Sequence, residues 1–316
     1  LKVGVCANGD EHRGRCGGGA PGAAVFGVRG GLTGVLADHL DRPTIGRALR
    51  ARHTWATTGE RLVGLTRCGA AIQGDEVGHT GPAAISYRFL GAAGIEEIRA
   101  FDHTSLFWRR DLHGELGLAT GRVRVRFGGA RVRDRYRAAL WRGRITITGA
   151  TVAWFQGRGF EHPEESCWRS GPTTIDFASE TYGDVDAIEL ELGDLAGCRI
   201  AVEGTIGSYP KIGNPLALHP FVHAPEFALT TTGTELLDRG SVRRELGGCE
   251  LFVAIERITD QPLPREVTGT VTVDPVNAPF GFRPVFLEAR EADGARVWTS
   301  AIYLDFAQSS SQESRR

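Results

Sequence analysis

An aspartate and a histidine one residue apart, Asp10 and His12, are residue types that could bind a metal near the start of the chain. They follow an apolar run, residues 1–7, that predicts a strand. Alternate side chains of an extended backbone face the same way, so the carboxylate and the imidazole would point together. Both groups are common ligands of divalent metals. The spacing alone fits metal binding and also fits an exposed turn with two hydrated side chains.

Two side chains cannot complete the shell of roughly four to six ligands that a divalent metal takes. The other ligands must therefore come from elsewhere. Because the sequence contains no methionine, we expect the chain to be the C-terminal piece of a longer protein, whose preceding segment would supply them.

Composition limits the function classes. The formal net charge of the 316 residues is −1, so we do not expect nucleic-acid binding through overall positive charge. No apolar stretch approaches the roughly 20 residues of a membrane-spanning helix, so we do not expect the chain to bind a membrane. Six cysteines without a close pair favour reduced thiols and a cytoplasmic location. An export signal in a preceding segment stays open.

The pattern of the first 59 residues predicts an α/β segment. A short strand is predicted to end near Ala37, and Asp41 then caps a helix that has Pro43 in its first turn. The apolar stripe of this helix, which we predict to run to Arg52, consists of Ile45, Ala48 and Leu49.

Beyond the boundary near Gly59 the apolar pattern changes to period two, which favours an antiparallel β-sandwich or barrel over residues 60–306. The polar end, residues 307–316, is predicted to be disordered. The predicted strands are residues 61–68, 84–90, 95–101, 123–127, 145–155, 187–192, 199–202, 250–255, 267–273, 283–289 and 297–304.

Residues 9–15, Gly-Asp-Glu-His-Arg-Gly-Arg, resemble the last metal-binding segment of the PHP superfamily, named for polymerase and histidinol phosphatase. An uncharacterised PHP-like branch has Ser-Asp-Asp-His, a basic residue and Gly-Arg-Pro-Gly there. Residues 31–35 and 45–61 are similar to the same branch, which carries Ala-Leu-(Arg/Lys)-x-Arg-x-x-aromatic-Ala-Thr-(Ser/Thr)-Gly in the second segment. Residues 282–304 are similar to its closing strands.

The resemblance implies a mainly β chain in which residues 1–59 are the C-terminal remnant of a distorted β/α barrel, followed by the sandwich. It also implies a cluster of divalent metals, Mn, Zn or Fe, whose bound water hydrolyses phosphoesters. Asp10 and His12 match the final metal-ligand pair. Arg13 and Arg15 would hold a small anionic substrate. His53 would either line the pocket or close the helix, and we favour the second role.

Other clusters favour ordinary structural roles. Solvated loop side chains are the preferred interpretation of Asp102-His103 and Asp111-Leu112-His113. Pro220 breaks the helix that would align His219 with His223, and residues 161–165 cluster similarly around Pro163, so we expect no metal at either place. Arg122, Arg124 and Arg126 share one strand face, where we favour a solvated surface balanced by acids on neighbouring strands over an anion or nucleic-acid site.

Two functions follow from these patterns. The first is the C-terminal part of a PHP-like metal-dependent hydrolase, expected to need the missing N-terminal barrel segment and to be inactive without it. The alternative is a non-catalytic β-sandwich module that binds a carbohydrate, an anion or a protein.

The first function predicts weak metal binding by this chain, because a PHP-like site reduced to Asp10 and His12 lacks most of its charge and preorganisation. After incubation with Mn²⁺ or Zn²⁺ and gel filtration, elemental analysis should find less than about one metal per chain. Two or more tightly held metals per chain would contradict this expectation.

Overall fold

The computed structural model describes residues 1–9, 30–133, 137–208, 224–275 and 281–306. Its chain divides into two compact units. Unit 1 comprises the described residues within 1–9, 30–112 and 263–306, and unit 2 comprises those within 113–262. Unit 2 is therefore inserted into the sequence of unit 1. The boundary predicted near Gly59 falls inside unit 1.

Strands account for most of the described elements. The first part of unit 1 contains β1 Leu32–Val35, α1 Arg42–Arg50, β2 Thr54–Thr57, β3 Val63–Cys68, β4 Ala71–Ile72, β5 Glu76–Gly78, β6 Ala83–Leu90, β7 Ile95–Asp102 and β8 Ser105–Asp111. After α2 Leu112–Leu116, unit 2 contains β9 Arg122–Ala130, β10 Ala139–Thr148, β11 Val152–Arg158, β12 Ser166–Gly171, β13 Thr174–Thr181, β14 Val185–Leu192, β15 Arg199–Gly207, β16 Glu226–Thr232, α3 Gly233–Arg239, β17 Ser241–Gly247 and β18 Cys249–Arg257. Unit 1 resumes with β19 Glu266–Val273, β20 Arg283–Glu291, β21 Arg296–Thr299 and β22 Ile302–Asp305.

The predicted mainly β, antiparallel character is confirmed. Every strand predicted beyond Gly59 overlaps an observed one, as does the short strand predicted to end near Ala37, whereas the strand predicted for residues 1–7 is wrong because no strand is observed there. Among the described strands, only β5 and β22 pair in parallel. The described strands form open sheets and no closed barrel. The barrel remnant predicted for residues 1–59 is therefore not confirmed, and the tail at 307–316 lies outside the described residues.

Unit 1 is built from an eight-stranded sheet and the four-stranded sheet β19-β6-β3-β4. The larger sheet follows the order β1-β2-β21-β20-β22-β5, with β7 and β8 added beside β20. Strands of both sheets contribute side chains to one apolar core, including Phe89 of β6, Ile98 of β7 and Leu287 of β20. The burial of alternate residues drives the two sheets together.

Helix α1 begins as predicted, because the Asp41 carboxylate accepts a hydrogen bond from the backbone N–H of Thr44 at 2.8 Å. The helix ends at Arg50, two residues before the predicted end. Its buried side chains are Thr44 and Ala48, whereas Leu49 is 45% exposed. The predicted stripe is therefore correct for Ala48 and wrong for Leu49.

Unit 2 is a β-sandwich of the five-stranded sheets β12-β13-β10-β15-β16 and β11-β14-β9-β18-β17. Its core centres on the Phe127 ring, whose centroid lies 4.8 Å from that of Phe177 and 5.2 Å from that of Trp141. The buried indole N–H of Trp141 donates to Thr181 Oγ1 at 2.9 Å. Thr181 in turn donates to the backbone carbonyl of Gly129 at 2.8 Å, so the donors of Trp141 and Thr181 are both satisfied.

We expect the Phe127→Ala variant to lose about 3–5 kcal/mol from the free energy of unfolding of unit 2, because a fully buried ring leaves a cavity. Urea denaturation measures this loss. Phe107→Ala is a control outside unit 2, since Phe107 lies in β8 of unit 1 and is 38% exposed, and it should cost less than about 1 kcal/mol. Equal losses in the two variants would contradict the assigned core.

Candidate functional site

An open groove crosses one face of the sheet β12-β13-β10-β15-β16 in unit 2. Because side chains alternate between faces along each strand, residues in cross-strand register form rows on that face. One row runs across all five strands and consists of Trp168, Asp176, Arg144, Glu203 and Ala228. The next row contributes Arg142, Thr205 and Glu226. We call this region the groove; it encloses about 780 Å³.

Two glycines allow the central strands to form the groove. Gly143 of β10 lies directly opposite Gly204 of β15. A Cβ atom on Gly143 would lie 2.3 Å from the Phe177 ring, and one on Gly204 would lie 2.1 Å from the backbone oxygen of Arg142. Neither position therefore has space for a side chain. The absence of these side chains lets the core ring pack directly beneath the strands that line the groove.

A bidentate ion pair occupies the middle of the groove. Arg144 Nε donates to Asp176 Oδ1 at 2.7 Å, and Arg144 Nη2 donates to Asp176 Oδ2 at 3.0 Å. These hydrogen bonds hold the pKa of the Asp176 carboxyl below its ordinary value and raise the pKa of Arg144. The pair holds two planar polar groups in a fixed orientation.

Trp168 forms the aromatic end of the groove on the edge strand β12, and it is 46% exposed. The neighbouring Arg169 anchors this strand, because its guanidinium donates to the backbone carbonyls of Pro172 and Val152, both at 2.9 Å. Arg169 also lies over the Phe155 ring at 5.3 Å. The indole of Trp168 is thus carried on a strand held at several points.

Arg244 forms the opposite end of the groove. Its Nη1 donates to the backbone carbonyl of Ala228 at 2.6 Å. With this residue the lining contains three arginines and three carboxylates: Arg142, Arg144, Arg244, Asp176, Glu203 and Glu226. The formal charges of these side chains cancel.

Four of the predicted site residues, Asp10, His12, Arg13 and Arg15, lie outside the described residues. His53 is described, and it closes helix α1 through a hydrogen bond from its backbone N–H to the Ala48 carbonyl at 3.0 Å. Its Nε2 lies 2.8 Å from Asp75 Oδ1. Within the described ranges, no group of three or more His, Cys, Asp or Glu side chains is arranged to hold a metal ion.

The other histidines with nearby acids have structural contacts where they are described. His103 Nδ1 lies 2.7 Å from Asp102 Oδ1, at the turn between β7 and β8. The imidazole of His113 is buried and its Nδ1 accepts a hydrogen bond from the Thr259 backbone at 3.2 Å. His219 and His223 lie outside the described residues.

The arginine face of β9 has the predicted alternation and the predicted acidic neighbours. Arg124 and Arg126 pair with Glu256 of β18 at 2.7 and 3.3 Å, and Arg122 pairs with Glu191 of β14 at 3.6 Å. The side chain of Arg124 is only 3% exposed, so the expectation of a fully solvated face is wrong at that position.

Sequence reasoning missed every residue of the groove as a site residue. Trp168 and Asp176 lie in a stretch, residues 166–181, where no strand was predicted. The available signal was the Gly171-Pro172 turn between two short alternating runs. The acids and arginines of β10, β15 and β16 are far apart in sequence, and only the pairing of strands brings them into one row.

Comparisons with known proteins do not identify a family. No family model matches the chain, and no curated protein matches it. AvmM, whose structure is described as catalysing macrocyclization in alchivemycin A biosynthesis, aligns at 9% identity and a TM-score of 0.13 over 54% of this chain and 89% of its own. The N-terminal periplasmic domain of ScsB from Proteus mirabilis aligns at 9% identity and a TM-score of 0.16 over 79% and 92%. Scores this low support no inference about fold or function.

No helix in the described part of the chain has both the length and the apolar character needed to cross a membrane.

Replacing Arg144 by methionine should raise the pKa of the Asp176 carboxyl toward its ordinary value of about 3.9, because the variant lacks the two donors that stabilise the ionised form. A carboxyl-carbon NMR titration measures this pKa. Arg88→Met is the matched control, since it removes a similar surface pair with Glu266 in unit 1. An unchanged Asp176 pKa in Arg144→Met would contradict the assigned ion pair.

Proposed function

We propose that unit 2 is a carbohydrate-binding β-sandwich and that the groove binds a neutral oligosaccharide. The observation that carries this proposal is the row from Trp168 to Ala228. Along this row the exposed indole is followed first by an acidic, then by a basic and then by a second acidic side chain. The apolar C–H face of a sugar ring packs against an aromatic ring, while its hydroxyls both donate and accept hydrogen bonds. The indole of the row complements the apolar face of the sugar, and the charged side chains complement its hydroxyls.

The dimensions of the groove favour an oligosaccharide over a single sugar. Four inter-strand spacings of about 4.8 Å give the row a length of roughly 19 Å. Several linked sugar rings fit along this length. The groove is also open to solvent along one side of the sheet, so a chain longer than the groove can extend beyond its ends.

Charge and position argue against the other occupants expected for a β-sandwich module. The formal charges of the lining cancel, so the groove lacks the excess of arginine that attracts an anion. A peptide that adds a strand needs a free sheet edge, whereas the row crosses the face of the sheet. A neutral ligand rich in hydroxyls matches the balanced donors and acceptors.

The PHP-like hydrolase stays a prediction from sequence resemblance, with its divalent metal and small anionic substrate. Its candidate residues Asp10, His12, Arg13 and Arg15 lie outside the described residues. The metal-to-chain ratio described above tests it independently of the groove.

Isothermal titration calorimetry with cellohexaose, laminarihexaose, xylohexaose and maltohexaose tests the proposal. We expect at least one of these to bind, and Trp168→Ala to weaken that binding at least about tenfold, because the stacking surface is lost. Trp154→Ala is the matched control, since Trp154 lies on the other sheet of unit 2, and it should leave the affinity unchanged.

Two outcomes of the sugar titrations would contradict the proposal. One is the absence of binding to all four hexasaccharides. The other is tighter binding of an anionic hexasaccharide, such as hexagalacturonate or a heparin fragment, which would favour an anion site. Capture of a protein by the wild type but not by Trp168→Ala would favour a protein-binding module instead.

A further inference from the structure

Two carboxyl groups meet beside the strand that carries Trp168. Glu165 immediately precedes β12, and Asp186 lies in β14 of the other sheet, where it is 1% exposed. Consecutive residues of β13 hold the two carboxyl groups side by side, because Asp186 Oδ2 accepts the Ser179 hydroxyl and Glu165 Oε1 accepts the backbone N–H of Glu180 at 2.8 Å. Two ionised carboxylates repel at such a distance, so this contact requires a proton between them.

The surroundings of Asp186 assign that proton to its side chain. Ser179 of β13 donates its hydroxyl to Asp186 Oδ2. Asp186 Oδ1 is buried and receives no hydrogen bond from the described residues. An acid protonated at Oδ1 can donate to Glu165, and the orphaned oxygen then has a partner.

Glu165 ties the start of β12 to its surroundings. Its Oε1 accepts a hydrogen bond from the Glu180 backbone at 2.8 Å, and its Oε2 accepts one from the His162 backbone at 2.6 Å. Both oxygens of Glu165 therefore act as acceptors, which leaves the role of donor in the contact to Asp186. Its contact with Asp186 links this anchor to the second sheet of unit 2.

Other charged and titratable groups surround the pair. Asp184, in the turn before β14, accepts the backbone N–H of Tyr182 at 2.5 Å. Tyr182 stacks on His162 with ring centroids 5.8 Å apart, and its hydroxyl donates to Glu180 at 2.9 Å. Arg137 Nε donates to the backbone carbonyl of Tyr182 at 3.0 Å. The charged side chains that act on Asp186 itself are Asp184 and Glu165.

Burial raises the pKa of Asp186 well above its ordinary value, and the negative charges of Asp184 and Glu165 raise it further. In the unfolded chain an aspartate carboxyl ionises at about pH 3.9. The folded chain therefore holds the extra proton over a window that starts there and extends up to the raised pKa. The stabilisation is complete at acid pH and is lost as the pH rises through this window.

Edge strand β12 is the element that depends on this anchor. Among the described strands it pairs with β13 alone, where Ser166 lies opposite Ala178 at the end next to Glu165. Trp168 follows Ser166 by two residues, on the same face. A change at the start of the strand therefore reaches the aromatic end of the groove.

We propose that the Glu165–Asp186 pair makes carbohydrate binding in the groove dependent on pH. With one proton shared, the pair holds the start of β12 and positions Trp168. When Asp186 ionises, the two negative charges repel, the start of β12 loosens and the groove loses affinity. This inference rests on the function proposed above.

Calorimetry at about pH 5 and about pH 8 with the tightest-binding of the four neutral hexasaccharides tests this regulation. We expect the wild type to bind about tenfold more weakly at the higher pH, equivalent to roughly one pKa unit of differential stabilisation. Asp186→Asn should keep the same affinity at both pH values, because its neutral amide can donate to Glu165 without ionising. Glu165→Gln should also lose the dependence.

Two control variants separate the pair from its neighbours. Glu164→Gln makes the same change as Glu165→Gln at an adjacent, exposed position, and it should retain the pH dependence. His162→Gln removes the imidazole that stacks on Tyr182 and leaves the backbone N–H of residue 162 in place, and it should also retain the dependence. Loss of the dependence in either variant would overturn the assignment to Glu165 and Asp186.

Amide hydrogen exchange, measured without carbohydrate and corrected for intrinsic rates, separates this inference from the proposed function. Protection of the β12 amides should fall between the two pH values in the wild type and stay constant in Asp186→Asn. Binding that is equal at both pH values would overturn the regulation alone. Absence of binding at both would contradict the proposed function, and constant β12 protection would then overturn the role of the pair as well.

Discussion

Alternation along strand β10 is the constraint on which the rest of unit 2 depends. Trp141, Ile145 and Ile147 are buried on one face of this central strand, whereas Arg142 and Arg144 are exposed on the other. A shift of one residue in the pairing of β10 would put the arginines into the core. The same register that fills the core therefore fixes which charged side chains share the groove. Stability and the geometry of the candidate site are set by one choice of strand pairing.

Ion pairs between neighbouring strands accommodate many of the arginines of this chain. In unit 1, Glu97 contacts Arg109 and lies 2.9 Å from Arg290, while Glu288 lies 2.9 Å from Arg99. These pairs join neighbouring strands β8, β7 and β20. Arginine suits this role because its planar group stays charged and can bond to two carboxylates at once. Partial burial makes these contacts specific to the correct register, since a slipped strand would leave a buried charge without its partner.

Sequence patterns predict the fold better than the site, because the strands follow from local patterns whereas the site depends on pairing between distant segments. Residues 123–127 alternate cleanly, and the observed β9 extends around them. The predicted run 145–155 is two strands, because Gly149 adopts a positive φ of 83° and the chain turns there. The Asp41 cap can be predicted from the sequence because the cap and its partner are three residues apart. The groove cannot be predicted in this way, since Trp168, Arg144 and Glu203 become neighbours only when distant segments pair. The burial of Arg124 was unpredictable for the same reason.

The ends of unit 2 lie close together within the unit. His113, the first described residue of the unit, accepts a hydrogen bond from the backbone of Thr259, which is near the last. The backbone N–H of Ala119 likewise bonds to the carbonyl of Ile258 at 3.0 Å. A unit whose chain enters and leaves at one place occupies a single loop of its host sequence. Such a segment can be exchanged or transplanted between unrelated proteins as a cassette, and its evolutionary history need not be that of the chain around it.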